Sequence, residues 1–433
     1  MKKFLATVTA SSMFLLAACA PGGGGASNTA STSGSGGSSG ENKVIEMWHI
    51  ETGDREKYFE DIAAQFEKDN PGTDVKLLRI PNDAYKQKLS VAMSGGNPPD
   101  IFQSWGGGWL KNFVDQGSVQ DITEQVDQEL FLENAIANTK FDEKVYGVPL
   151  GMSTDVIFYN KEIFAKYNLE EPKTYEEFLQ VIKTLKENDI IPLSLANKTK
   201  WPGAYYLMNF ASRIAGPDLF ESAFNRTGRG FDDPAYVQAG EYIQELVKME
   251  AFNPGANGIP YDEGRARQLL YTEEAAMIDM TNSFINNIRE ENPEFEEKLG
   301  FFPFPTVPDG KGVQTEIGAA TGPVFSVSKT AEDADLAAQL LNDMTSKENA
   351  QIYTDTTGSL AAIKGAVPND ETMKPIYDLM ANATHMQMPY DQTLPPELAE
   401  LHKDTTQAIF GLSMTPEEAA KKMEAKAKEM LDQ

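Results

Sequence analysis

The chain is poor in the residues from which most metal, redox and nucleophilic sites are made. Of its 433 residues one is cysteine, Cys19, so no disulfide can form within it. Its three histidines, His49, His385 and His402, show no metal-ligand spacing, and a single cysteine leaves no zinc set, so neither a metal nor a cofactor is expected. Cations are scarce as well: 38 Lys and Arg stand against 65 Asp and Glu, for a formal charge of -27. A surface that negative repels phosphate backbones and anionic headgroups, which argues against a nucleic-acid partner. No Gly-x-Ser-x-Gly elbow and no Ser/His/Asp arrangement stands out. The run Gly106-Gly107-Gly108 lacks the Gly-Lys-Ser/Thr of a phosphate loop and reads as a flexible loop. No internal repeat is apparent, and beyond Cys19 no long apolar run is present to cross a bilayer.

What is there begins with an address. Lys2 and Lys3 precede an apolar run, Phe4 to Leu16, too short to span a membrane and followed by small residues, so residues 1–18 read as a secretory signal peptide. Leu16-Ala17-Ala18-Cys19 has the form of a bacterial lipobox, and that resemblance implies cleavage before Cys19 and lipidation of its thiol. Two or more acyl chains hold a protein to a membrane where one is marginal. Ala20 to Gly40 contains only Gly, Ser, Ala, Thr, Asn and Pro, so residues 19–42 are expected to act as an anchor and flexible tether with an rms reach of roughly 25 Å.

The remainder, 41% hydrophobic overall, is long enough for two or three domains. Val44–Trp48, Arg55–Asn70, Val75–Ile80, Asp83–Met93 and Asp100–Gln103 alternate strand, helix, strand, helix, strand, the pattern of a parallel sheet covered by helices. After the stretch Val145–Asn160 the alternation resumes. Thr174-Tyr175-Glu176-Glu177 is a capping box opening a helix, Ile191–Leu195 is a strand, and Trp201–Ile214 and Pro234–Lys248 are helices. Ala275–Met280 reads as a buried strand, and Thr415-Pro416-Glu417-Glu418 opens the last helix. Val145–Leu150 and Asp155–Tyr159 read as two extended pieces with a flexible break at Met152–Asp155, and Ile317–Ser326 is a second glycine-rich crossing. Two crossings mean that neither half is continuous in sequence: 43–150 plus 320–368 form one lobe, and 151–319 plus 369–433 the other. The arrangement suits an α/β two-lobe clamshell with a cleft between the lobes, closing by a hinge.

Several segments in this order carry a family resemblance: Trp48-His49, Phe66-Glu67-Lys68-Asp69-Asn70-Pro71-Gly72, Gly96-Asn97-Pro98-Pro99-Asp100-Ile101, Tyr146-Gly147-Val148-Pro149 with Tyr159-Asn160-Lys161, Pro172 to Phe178, and Gly318 to Gly322. Together they resemble the carbohydrate-binding solute-binding lipoproteins of bacterial ABC importers, the broad group that includes maltose-binding protein, and the resemblance implies a periplasmic-binding-protein-like two-lobe clamshell. The resemblance covers the chain from the lipobox to the terminal helix. It implies a binding protein rather than an enzyme, anchored by lipid alone to the outer face of the cell membrane. Its implied partners are an oligosaccharide and the transmembrane subunits of an ABC permease, and the receptor itself would be a monomer. Phe102 to Gly108 and Lys200-Trp201-Pro202 look most like the xylobiose and arabinoxylo-oligosaccharide binders, whereas Tyr390 to Pro396 is similar to the raffinose and isomaltose binders.

A pyranose has flat C–H faces for aromatic rings and a rim of hydroxyls for Asp, Asn, Gln or Arg. Trp48 with His49 ends the first strand and Trp105 follows the third, at the carboxyl ends where open α/β sheets bind ligands. Trp201 and Tyr205 open a helix, and Phe284 takes the position where the family often places a stacking tryptophan. The polar candidates are Asp54, Asn82, Gln103, Asp155, Asn282 and Asp391, on position alone. Each has a plainer reading: Trp109 and Trp201 as packing residues, His49 as a loop residue, the carboxylates as solvated surface. An extracellular glycoside hydrolase would need the same cleft and rings plus two spaced carboxylates, and no pair can be nominated. A structural surface protein would bind no small molecule.

Overall fold

The structure is a computed structural model that describes residues 43–432; the expected signal peptide, Cys19 and the tether lie outside the described residues. The strand Lys43–His49 points Ile45 and Met47 into the protein, and the helix Gly53–Asp69 lays Tyr58, Phe59, Ile62 and Phe66 against them. Each such side chain, fully buried, contributes roughly 1.5–3 kcal/mol. Repeating this unit gives a five-stranded sheet ordered Thr73–Arg79, Lys43–His49, Ile101–Ser104, Val324–Val327, Val148–Pro149. Its first three strands are parallel, and Val324–Val327 runs antiparallel to both of its neighbours. Helices Ala334–Met344 and Lys347–Thr357 add Leu340, Leu341 and Tyr353 to the same core.

The second sheet is built on one strand. Gly151–Asn160 is continuous over ten residues, so Met152–Asp155 is not a break; the chain changes sheets before this strand begins, at Leu150. Thr154 and Asp155 can lie in this buried strand because each finds a partner. The Thr154 hydroxyl donates to the Gly318 carbonyl at 2.7 Å, and Asp155 accepts from the Asn209 amide at 2.6 Å. On one side the strand pairs with Glu316–Thr321 and then Leu299–Phe302. On the other it pairs with Leu360–Ala361 and then Ala275–Thr281. Ile191–Ser194 and His385–Gln387 complete the sheet.

The second crossing is read correctly as a crossing. Glu316–Thr321 belongs to the second sheet and Val324–Val327 to the first, with Gly322 and Pro323 between them. The two crossings are bonded to each other: Leu150 N–H donates to the Pro323 carbonyl and Gly322 N–H to the Gly151 carbonyl, both at 2.8 Å. Around the second sheet pack the expected helices. Tyr175–Glu187 has its capping box between Thr174 and Glu177, and Pro234–Lys248 is capped by Asp233. Pro416–Leu431 starts on the Thr415/Glu418 box. The result is a two-lobe α/β fold with a cleft where the strand ends of the two sheets face each other.

Candidate functional site

The cleft has a volume of about 810 Å³ and receives residues from both sheets and from the second crossing, Gly322–Pro323. Its aromatic wall on the first lobe is Trp105, at the end of the strand Ile101–Ser104, with Trp109 one helical turn on. Trp105 meets Trp109 edge-to-face at 5.7 Å, and the Lys86 ammonium stands 4.6 Å over the Trp105 ring. Trp109 is 7% exposed and packs on Phe113, so it is a packing residue that also borders the cleft. Opposite lie Trp201, Tyr205 and Tyr261, with Trp201 edge-on to Tyr261 at 4.9 Å. Trp201 is delivered by local geometry. Lys200 sits in the left-handed region at φ 72, and the Asn197 side-chain oxygen Oδ1 accepts from Gly203 N–H at 3.1 Å, fixing the first turn of helix Trp201–Ala215.

The polar walls are ordered by ion pairs. Glu51 accepts from the Gln103 amide at 2.7 Å and from Arg55 at 3.0 Å, while Gln103 accepts from Ile50 N–H at 3.0 Å. Asp391 lies 3.6 Å from Lys86 and 3.9 Å from Lys403; burial would raise its carboxyl, but the two ammonium groups outweigh that and hold it below the usual carboxylate range. Helix Asn82–Ser94 has no side-chain cap of its own, since its N-cap is Pro81. The Asp262 carboxylate supplies one from across the cleft, accepting from Asp83 N–H at 3.0 Å. Burial and the Asp262 charge push the Asp83 carboxyl up to about 6. The ionised lining residues are Arg55, Arg79, Lys86, Lys198, Lys200, Arg267 and Lys403 against Glu51, Asp83, Asp262, Glu290, Glu291, Asp391 and Glu400. In a chain of charge -27, the cleft lining carries as many basic as acidic side chains.

Of the residues nominated from sequence, Asn82, Gln103, Trp105, Trp201, Tyr205 and Asp391 line this cleft. The others lie elsewhere. Trp48 is buried beside Ile80 and Leu89, its indole N–H donating to Glu46 at 2.6 Å. His49 packs edge-on to Phe59 at 5.3 Å, and burial lowers its pKa to about 4. Asp54 is exposed in the first turn of its helix, outside the cleft. Asp155 shares a strand face with Ser153, which lines the cleft, but lies one pair deeper, against Asn209 of the helix Trp201–Ala215. Asn282 clamps a strand end, accepting from Thr154 N–H at 3.0 Å. Phe284 is fully buried against Phe158 and Tyr271, so its ring stacks on core, away from the cleft.

Sequence reading missed Arg55, Lys86, Ser153, Tyr261, Asn286, Thr321, Gln392 and Lys403, all lining residues. Two had a legible signal: Lys86, one turn beyond Asn82 on the polar face of a predicted helix, and Ser153, in the polar stretch Met152–Asp155. The flexible-loop reading of Gly106–Gly108 is corrected. A Cβ on Gly107 would collide with the Gln392 carbonyl and one on Gly108 with the Thr393 carbonyl, so the run is a packed seam. Another concavity, about 780 Å³ between helices Pro396–Phe410 and Pro416–Leu431, lies away from the sheet ends.

Among proteins of known sequence, the chain is 25% identical over 348 residues to the multiple sugar-binding protein of Streptococcus mutans, covering 76% of this chain and 77% of that one. Among solved structures, one from work on xylan utilization by the thermophilic bacterium Caldanaerobius polysaccharolyticus aligns at TM-score 0.83 and 29% identity, over 88% of this chain and 99% of that one. A solute-binding protein solved in complex with raffinose shares the fold at TM-score 0.74 and 22% identity, over 90% and 99% of the two chains. The family model for bacterial extracellular solute-binding proteins matches residues 51–351. With its paired sheets, crossed twice, closing on a charge-balanced cleft, this chain belongs to the bacterial extracellular solute-binding protein family.

Proposed function

We propose that this chain is the substrate-binding receptor of an ABC importer that captures an oligosaccharide, with xylobiose or a short xylo-oligosaccharide as the ligand, and that it performs no chemistry on it. The carrying observation is the cleft itself: indole and phenol rings from both lobes face a polar wall with equal numbers of cations and anions. A neutral polyol with apolar faces matches such a wall; a strongly charged ligand does not. The 29% identity to the structure from xylan utilization supports the sugar class. The lobes, 43–150 plus 320–368 and 151–319 plus 369–433, would swing about the bonded crossings at Leu150 and Gly322–Pro323. Cys19 would carry the lipid, placing the receptor on the outer face of the cell membrane for a permease. An α-galactoside such as raffinose is the second reading, favoured by the similarity of fold to the raffinose complex.

Thermal melting with a ligand panel tests this. At about a thousand times Kd, a ligand stabilises the folded form by roughly 4 kcal/mol, several degrees in Tm for a chain of this size. A shift with xylobiose or xylotriose is expected, and Trp105→Ala should abolish most of it. A shift with raffinose alone moves the receptor to the second reading. Silence across all sugars rejects the sugar receptor, and release of shorter sugars on incubation rejects the non-enzymatic role.

A further inference from the structure

The cleft contains buried polar atoms that no protein group satisfies. Thr321, on the crossing, is fully buried and its hydroxyl has no partner; Gln392 is 8% exposed and its side-chain carbonyl has none. Both line the cleft. So does Asn286, whose amide nitrogen and carbonyl oxygen are both buried and unpartnered, and so does Trp201, with its indole N–H in the same condition. A buried donor or acceptor without a partner costs about 1–3 kcal/mol, and folded proteins leave few of them. With the Thr199 hydroxyl, six such atoms stand on five lining residues of one cleft, and they mark positions where a ligand completes the bonding.

Their chemistry restricts that ligand. Trp201 Nε1 can only donate and Gln392 Oε1 only accept, while Asn286 and Thr321 need both kinds of partner. A hydroxyl offers a donor and an acceptor on one atom. A phosphate or carboxylate offers acceptors alone and would leave the Gln392 and Asn286 oxygens facing an anion. We infer that Thr321, Gln392 and Asn286 are the hydroxyl-reading residues of this cleft, and that with Trp201 they select a neutral polyhydroxylated ligand over a phosphorylated or acidic one. This rests on the sugar-receptor reading and extends it to residues that set specificity.

The two can fail separately in one calorimetric experiment. The parent is titrated with xylotriose, raffinose and glycerol 3-phosphate, and the better sugar is then titrated into Thr321→Val, Gln392→Met and Asn286→Leu. Each variant keeps the side chain's size and removes its hydrogen-bonding atoms. Each should weaken the sugar by about ten- to a hundredfold, since a ligand hydroxyl is left buried without its partner. The ligand-free Tm of Thr321→Val should be unchanged or higher, because an unsatisfied hydroxyl has been replaced by a methyl; a purely structural threonine would lower it. Variants that bind the sugar within twofold of the parent overturn the assignment and leave the receptor intact. Glycerol 3-phosphate binding as tightly as the sugar also overturns it. A parent that binds neither sugar overturns the sugar reading and this assignment with it.

Discussion

Asp155 and Asp279 occupy one face of the second sheet, because Asp155 pairs with Thr281 and Ile157 with Asp279, which makes the two carboxyls diagonal neighbours. Asn209 donates to Asp155, but neither oxygen of Asp279 has a partner. Burial raises both, and the Asp155 charge pushes Asp279 further, well above the usual carboxylate range. A carboxyl raised on folding gives its full stability below its unfolded pKa, about 4, and loses it as pH rises toward the raised value. Asp279→Asn keeps the shape without the proton. Its stability should therefore decline less than the parent's between about pH 4 and neutrality, with a higher Tm at pH 7 in melts across that range. Superimposable parent and variant curves would show that Asp279 stays ionised. The same carboxyls show why individual site residues were hard to read. Trp105, Trp201 and Tyr205 were legible as rings near strand ends or helix starts, yet Trp48 and Phe284 meet a similar description and lie in cores. Which side of a strand end faces the cleft depends on the helix that covers it, and that helix can be far away in sequence. Asp155 is shut off in this way by Asn209.

At the scale of elements, periodicity and caps were reliable guides. Pro234–Lys248 has the bounds expected, and both capping boxes formed. The failures came where a tertiary partner replaced a local signal. Ser153-Thr154-Asp155 looks like a polar break, but remote groups satisfy Thr154 and Asp155 and the strand runs through. Gly106-Gly107-Gly108 looks like slack, but the backbone of residues 392–394 lies on it and leaves no room for a Cβ. Gly107→Ala would combine that clash with a left-handed φ of 58. It should lower stability by about 1–3 kcal/mol and weaken the ligand as well, because the seam borders the cleft. Gly117→Ala, at φ 69 with nothing within 4 Å, isolates the dihedral cost. Equal losses of Tm in the two variants would mean that the seam has room to give.

Across the whole molecule, the cleft sets acidic side chains side by side, and the proposed hinge opening would part them. Asp83 reaches about 6 because it is buried and Asp262 stands beside it, against the smaller pull of Lys198 and with Glu263 adding to the repulsion. An open form returns Asp83 toward its usual value, so closing takes up a proton. Sugar affinity should fall as pH rises from about 4 to about 6 and level off above that, and Asp83→Asn should flatten the profile. Calorimetry across that range checks it; a parent profile as flat as the variant's would show that the two carboxyls do not meet in the bound form. The strand Gly151–Asn160 has a different consequence, in time rather than in energy. Its partners come from residues 275–281, 299–302, 316–321 and 360–361, so its pairing is completed only when residue 361 is available. A chain that emerges N-terminus first has its central strand in hand long before the strands that must flank it. Non-local pairing of this kind is slow. The second sheet therefore cannot be completed around its central strand until most of the chain's length has been made.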